Sequence, residues 1–294
     1  MKITLFNGFS MKQKLIAYAK LMRLHKPVGI LLLLWPTWWA LWLAAMGLPT
    51  FKNWFIFTLG VIVMRSAGCV VNDLADRNFD GLVARTRDRP LVTGSVTPIE
   101  AWILLAILCT LGLILVLCLN LAAFLWACLA LTLMLIYPLT KRFFPMPQAI
   151  LGLCWYLAIP MAFAAQANKV NAVTLWLYLG AVVWAIVYDT WYAMVDREDD
   201  VKIGIRSSAI LFGRYDRAWV AAFQLFSLGT WFYVGILAQL KWFYFLACAV
   251  CGGFFLYQQI LSYRCEPKRC FQAFLNNQWL GLVLFLGILG GLYH

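Results

Sequence analysis

Carboxylates are the first residues in this sequence that could do chemistry, because eight of its twelve acidic residues fall in two short stretches. NDLADRNFD supplies Asn72, Asp73, Asp76 and Asp80, and YDTWYAMVDREDD supplies Asp189, Asp196, Glu198, Asp199 and Asp200. At about 100° per helical residue, Asn72, Asp73, Asp76 and Asp80 share one face. In the second stretch Asp189, Tyr192, Asp196 and Asp200 share a face, Asp199 is peripheral, and Glu198 points away. Carboxylates gathered on facing helices repel one another and lose solvation, so a cation has to sit among them. Oxygen-only donors suit a hard ion, Mg²⁺ by preference, which keeps some water and is usually completed by a substrate phosphate.

A basic stretch follows each acidic one: Arg77, Arg85, Arg87 and Arg89 after the first, then Arg197, Lys202 and Arg206 after the second. Metals bridge the oxygens of a diphosphate and guanidinium groups take the remaining ones, so this order of charges fits that ligand. A single cluster would pass for a solvated helix end, but two with the same geometry and the same sequel describe a site. His25 and His294 are the sole histidines, which leaves no material for a histidine triad or a zinc site. The expected chemistry is therefore electrophilic, the metal-assisted departure of a diphosphate.

Both acidic stretches close apolar runs, and those runs set the architecture. The chain has 294 residues, is 64% hydrophobic and only 12% charged, and has a mean hydropathy of +0.81. Soluble domains carry charge on about a quarter of their residues, so this is a membrane protein. Runs of about 20 apolar residues, enough to cross a bilayer, centre near residues 37, 63, 108, 129, 157, 184, 227, 250 and 283. The third and fourth form one stretch, 101–137, whose length as a single helix would be about 55 Å. A break near Asn120 is expected, and Thr97, Pro98 and Glu100 predict a capping box at its start.

Placing the N-terminus in the cytoplasm puts 20 of the 24 basic residues on that side, leaving Lys52, Lys169 and Lys241 opposite and Arg65 within a span. That positive-inside bias fixes the expected orientation and accounts for the net charge of +12 without nucleic acid. The longest polar connection, 81–98, is a loop, so residues 1–294 read as one integral-membrane domain, and MKITLFNGFSMKQK lacks the features of a secretory signal. Cys248 and Cys251 form a C-x-x-C spacing inside an apolar run, where helix packing is the expected role. Cys265 and Cys270 read as cytoplasmic thiols. Arg65, seven residues before Asn72 on the same face, is either a counter-ion to the aspartates or a receptor for a carboxylate on a second substrate.

NDLADRNFD is similar to the Asn-Asp-x-x-Asp-x-x-x-Asp motif, and YDTWYAMVDREDD to the second Asp-rich motif, of the UbiA superfamily of membrane-intrinsic aromatic prenyltransferases. The likeness extends from residue 23 to residue 213 through RLHKPVGILLLLWPTWWALW, RSAGCVVND, DRPLVTG, YPLTKR, IPMAFAA and DDVKIGIRSSAILFG, with GLVLFLG near the end, and points to the ubiquinone-pathway branch. The resemblance implies an all-α fold of nine transmembrane helices around a central, lipid-accessible cavity in a bacterial inner membrane. It further implies Mg²⁺, an allylic polyprenyl diphosphate and 4-hydroxybenzoate as aromatic acceptor. Asn72, Asp76, Asp80, Asp196 and Asp200 carry over as metal-site residues, and Asp73 joins them by its position. Arg77, Arg89, Lys141, Arg142, Lys202 and Arg206 are expected at the diphosphate, and Arg23, Arg65, Tyr137, Asp189 and Tyr192 at the acceptor or the reacting carbon. Trp191 occupies a variable position of the second motif.

Two rivals read the same residues differently. A CDP-alcohol phosphotransferase would match Asp80, Gly81, Ala84, Arg85 and Gly94, but the spacing of its first two aspartates fails and Pro98 and Trp102 stand where its last two are required. A cation transporter would place carboxylates near the bilayer midplane on broken helices, whereas these lie at helix ends beside arginines.

Overall fold

The computed structural model describes residues 10–78, 80–82, 85–140 and 142–293, and these form helices and turns with no strand among them. Nine segments of the described residues are long and apolar enough to cross a membrane. A short helix, α1 (Met11–Leu21), precedes them, opened by a Ser10–Gln13 capping box. The first span, α2 (Val28–Ala45), contains Pro36. Proline has no N–H to donate four residues back, and the Leu32 carbonyl thereby freed accepts the Tyr156 hydroxyl at 3.2 Å.

The helix α3 (Phe51–Asp76) carries the first acidic stretch to its C-terminal end. Next, α4 (Pro98–Leu117) opens with the expected capping box: the Glu100 amide donates to Thr97 Oγ1 at 3.3 Å, and Thr97 N donates to Glu100 Oε2 at 2.7 Å. The break to α5 (Leu121–Thr140) falls at Asn120, as its polarity predicted. Asn120 Oδ1 accepts from Ala123 N at 2.9 Å, capping α5, while its Nδ2 donates to the Ala164 carbonyl at 2.7 Å.

The fifth span departs from the single helix expected around residue 157. It is two short helices, α6 (Pro147–Trp155) and α7 (Ala158–Ala167), parted at Tyr156 and Leu157. Pro160 explains the break, because its ring clashes with the carbonyl four residues back, that of Tyr156. The sixth, α8 (Ala172–Ile203), has 32 residues, about 48 Å at helical rise, against a hydrocarbon core of about 30 Å. Its last turns therefore carry Asp196 and Asp200 beyond the apolar part. A five-residue α9 (Ser208–Phe212), α10 (Asp216–Leu237), α11 (Trp242–Leu261) and α12 (Pro267–Tyr293) complete the chain.

Packing joins α8 to α10 and α12, α2 to α7 and α12, and α3 to α4 and α5. One apolar core gathers Trp39, Trp184, Trp231, Tyr156 and Tyr188, and a smaller one joins α1, α3 and α4 through Ala17, Leu21, Ala67, Val96 and Ala101. Cys248 and Cys251 are buried in the larger core.

Candidate active site

The acidic ends of α3 and α8 face one cavity of ≈ 260 Å³. Asn72 and Asp76 line it from α3, and Tyr188, Asp189, Tyr192, Asp196 and Asp200 line it from α8. Asp189, Tyr192, Asp196 and Asp200 lie three or four residues apart along one face of α8, and Tyr188 is one turn before Tyr192. Glu198 is exposed and away from the cavity, as its angle required, and Asp199 pairs with Lys202 at 3.4 Å. Trp191 is fully buried and does not line the cavity.

The first stretch is not one continuous helix. Helix α3 ends at Asp76, and Asp80 opens a separate 3-10 turn, Asp80–Leu82. Arg89 holds it in place, its Nη1 standing 2.6 Å from Asp80 Oδ2 and 3.0 Å from Asp73 Oδ1. Asp73 does not line the cavity. It is 2% exposed and receives Arg23 Nη2 at 2.6 Å, so it anchors arginines at the rim.

Arg85 belongs to the site although only its basic neighbourhood marked it in the sequence. Its Nε donates to both carboxylate oxygens of Asp196, at 2.9 and 3.1 Å, its Nη2 adds a further bond, and its guanidinium lies 4.6 Å from the centre of the Tyr192 ring. Arg23, Lys26, Arg89 and Arg206 line the cavity with it. Arg206 is steadied by a 2.6 Å bond to the Phe143 carbonyl. The remaining basic residues expected at the diphosphate stand outside: Arg77 and Lys202 are exposed, and Arg142 donates to the Ala75 carbonyl at 3.2 Å. Lys141 lies outside the described residues.

Two groups at the rim have shifted titrations. Burial raises the pKa of Asp80, and the charges of Asp73 and Asp76 add to it against the pull of Arg89. Burial lowers the pKa of Lys26, and Arg85, Arg23 and Arg89 push it further down. Burial is the first cause of both shifts, so the rim holds charged groups away from water, where Arg85 pairs with Asp196, Arg23 with Asp73, and Arg89 with Asp73 and Asp80. The all-oxygen donor set of Asn72, Asp76, Asp80, Asp196 and Asp200 fits Mg²⁺. Among the described residues no three acidic, cysteine or histidine side chains stand close enough to hold an ion by themselves.

Deeper in the cavity, Arg65 meets the Cys69 thiol and lies 4.8 Å from the centre of the Trp155 ring, while its buried Nε has no hydrogen-bond partner among the described residues. Tyr137 also lines the cavity. Arg65, Gly68, Met134, Cys154 and Trp155 are shared with a second, apolar cavity of ≈ 230 Å³ among α3, α4, α5 and α7. Leu113 and Leu131, 49% and 37% exposed, line it too, so it reaches the outer surface of the bundle.

The profile of the UbiA prenyltransferase family matches residues 33–288. The chain belongs to the UbiA prenyltransferase family. Named relatives in the family include the 4-hydroxybenzoate octaprenyltransferase of Psychromonas ingrahamii, 50% identical over 284 residues, covering 97% of this chain and 99% of that one. The Coxiella burnetii protein of the same name is 49% identical over 280 residues, 95% and 98% of the two chains. Among solved structures, a UbiA homolog from Aeropyrum pernix superposes with a TM-score of 0.78 at 24% identity, covering 88% of this chain and 96% of that one. A UbiA homolog from Archaeoglobus fulgidus bound to GPP and Mg²⁺ gives 0.73 at 20% identity, over 93% and 99%. The family match removes the CDP-alcohol phosphotransferase and transporter readings.

Proposed function

We propose that the cavity transfers a polyprenyl group from an allylic polyprenyl diphosphate to the carbon ortho to the hydroxyl of 4-hydroxybenzoate, releasing diphosphate, in ubiquinone biosynthesis. The observation that carries this reading is that one cavity gathers Asp76, Asp80, Asp196 and Asp200 with Arg85, Arg89 and Arg206, and adjoins an apolar cavity that reaches the outer surface of the bundle. The chain acts as a multi-pass enzyme of a bacterial inner membrane with its N-terminus and its acidic mouth on the cytoplasmic side, supported by the charge distribution along the sequence.

Asn72, Asp76, Asp80, Asp196 and Asp200 would hold Mg²⁺, which when bound supplies neutralisation of charge on the departing diphosphate. Arg85, Arg89, Lys26 and Arg206 take diphosphate oxygens through charge-assisted hydrogen bonds and stabilise the charge that develops there. The isoprenoid tail runs into the apolar cavity past Gly60, Met64 and Gly68 of α3, so a long tail costs no burial of polar groups. Tyr192, Phe271 and Phe274 line the cavity, where developing positive charge on the allylic carbon gains attraction from their rings. Arg65, deeper in the cavity and with its buried Nε unpaired among the described residues, takes the acceptor carboxylate, with Asp189 and Tyr137 near the phenol end. Asp189 accepts a hydrogen bond from the phenol hydroxyl, raising electron density at the ortho carbon; that carbon bonds to the allylic carbon as the C–O bond to diphosphate breaks, and its ring proton then passes to the released diphosphate.

Transfer of radiolabelled 4-hydroxybenzoate into a lipid-extractable product, measured in detergent with a panel of prenyl diphosphates, tests this. Incorporation that requires both Mg²⁺ and the prenyl diphosphate is expected. Ion flux in liposomes without any prenyl transfer would overturn it.

A further inference from the structure

Lys14 of α1 is 2% exposed, and its ammonium reaches both Glu100 oxygens, at 2.8 and 3.0 Å, and the Ser95 carbonyl at 3.2 Å. One turn later Tyr18 donates its hydroxyl to Glu100 Oε1 at 3.0 Å, and the Thr97 amide donates to Glu100 Oε2 at 2.7 Å. Ala17 and Leu21 pack with Val96 and Ala101 beside this pair. A lysine on a helix at a membrane surface ordinarily runs its stem along apolar surface and keeps its charge in water. Lys14 gives up that water for a buried carboxylate, an arrangement that persists only when the hydrogen bonds around both charges are well made.

The place where α1 is fastened explains the arrangement. Ser95, Thr97 and Glu100 mark the point where the segment 85–97 enters α4, and that segment carries Arg85 and Arg89 to the cavity. Within it, Thr86 donates to the Asp80 carbonyl at 2.6 Å, and Arg89 N donates to the Thr86 carbonyl at 3.0 Å. Beyond its other end, α1 is followed by Arg23 in the left-handed region, φ 56°, and Arg23 reaches Asp73. One short helix thus ties together three of the arginines at the cavity mouth. The capping box of α4 needs only Thr97 and Glu100, so capping alone gives Lys14 and Tyr18 no reason to converge on this carboxylate.

We propose that α1 is a strut that sets the arginines of the cavity mouth, with Lys14 and Glu100 as positioning residues for the diphosphate. This rests on reading the cavity as a diphosphate site. Breaking the pair lets Arg85 and Arg89 drift, which weakens diphosphate binding, while Arg65 and the acceptor level deeper in the cavity keep their geometry.

The test uses the full-length enzyme in detergent, with inorganic pyrophosphate plus Mg²⁺ as a competitive probe against prenyl diphosphate. Lys14→Met and Glu100→Gln should each raise the pyrophosphate Ki and the KM for prenyl diphosphate about tenfold, with KM for 4-hydroxybenzoate little changed. Lys14→Arg, which retains the ion pair, should stay within about threefold of wild type, and Lys12→Ala on the exposed face of α1 should match it. Unchanged constants in folded Lys14→Met and Glu100→Gln enzyme would overturn the proposal, as would a fall in kcat alone. Should both variants fail to fold, Tyr18→Phe decides, with a rise of about threefold in Ki expected and an unchanged Ki reducing the cluster to a folding element. Pyrophosphate that does not compete in the wild type would instead sink the diphosphate reading on which the strut depends.

Discussion

Replacing Arg65 by methionine removes a charge from within an apolar span, where insertion scales put its cost at about 2.5 to 3.5 kcal/mol. That charge meets a thiol and a Trp ring, and its Nε has no hydrogen-bond partner among the described residues, so its loss should not lower the thermal midpoint. Its value appears only when an acceptor carboxylate arrives, as a charge-assisted hydrogen bond of about 1.5 to 3 kcal/mol. At about 1.4 kcal/mol per decade, this is roughly a ten- to hundredfold rise in KM for 4-hydroxybenzoate, with KM for prenyl diphosphate unchanged. Steady-state kinetics with each substrate varied in turn, beside a thermal melt in detergent, measure all three quantities. An acceptor lacking the carboxylate, such as a simple phenol, should be used poorly by the wild type and be nearly indifferent to Arg65→Met. Wild-type enzyme that prenylates phenol as well as 4-hydroxybenzoate would refute the clamp and leave Arg65 a structural cation.

Asp76→Ala and Asp196→Ala should each cut turnover about a hundred- to a thousandfold, whereas Glu198→Gln, exposed and outside the cavity, should be mild; equal damage at Glu198 would mean α8 presents another face. A side chain added at Gly60 meets open space inside the apolar cavity, so Gly60→Leu should leave geranyl diphosphate a good substrate and reduce use of long polyprenyl diphosphates about tenfold, with equal loss for both lengths counting against the channel. Cys265 is partly exposed but Cys270 is fully buried, so in a variant retaining only these two cysteines an impermeant maleimide should label Cys265 alone, from inverted vesicles and not from intact cells. Burial and, after it, Asp216 raise the Cys265 pKa, so thiolate is scarce at neutral pH and labelling should accelerate only at pH above the ordinary thiol range.

Where periodicity or a cap governed the outcome, the sequence was a good guide. Asn120 split an overlong run because its amide caps α5, and the cavity-facing side of α8 followed from helical angle alone. Where the backbone leaves the helix, angles lose their meaning: α3 stops at Asp76, so Asp80 reaches the cavity through Arg89 and Asp73 turns to the rim arginines. The segment 85–97 has no period, and only tertiary structure distinguishes Arg85, which meets Asp196, from Arg77, which stays exposed. Two features had readable signals that went unused. Ser10 and Gln13 spell the capping box that opens α1, and Pro160 marks the break between α6 and α7. The pairing of Lys14 with Glu100 across 86 residues carries no local signature at all.

The most direct measurement is the identity of the product. Enzyme incubated with Mg²⁺, 4-hydroxybenzoate and a polyprenyl diphosphate should yield one molecule of diphosphate for each molecule of a benzoate whose ring, by proton NMR, carries the prenyl group on the carbon ortho to a free hydroxyl. A prenyl ether on the phenol oxygen, or diphosphate released without any prenylated ring, would contradict the roles assigned to Arg65 and Asp189.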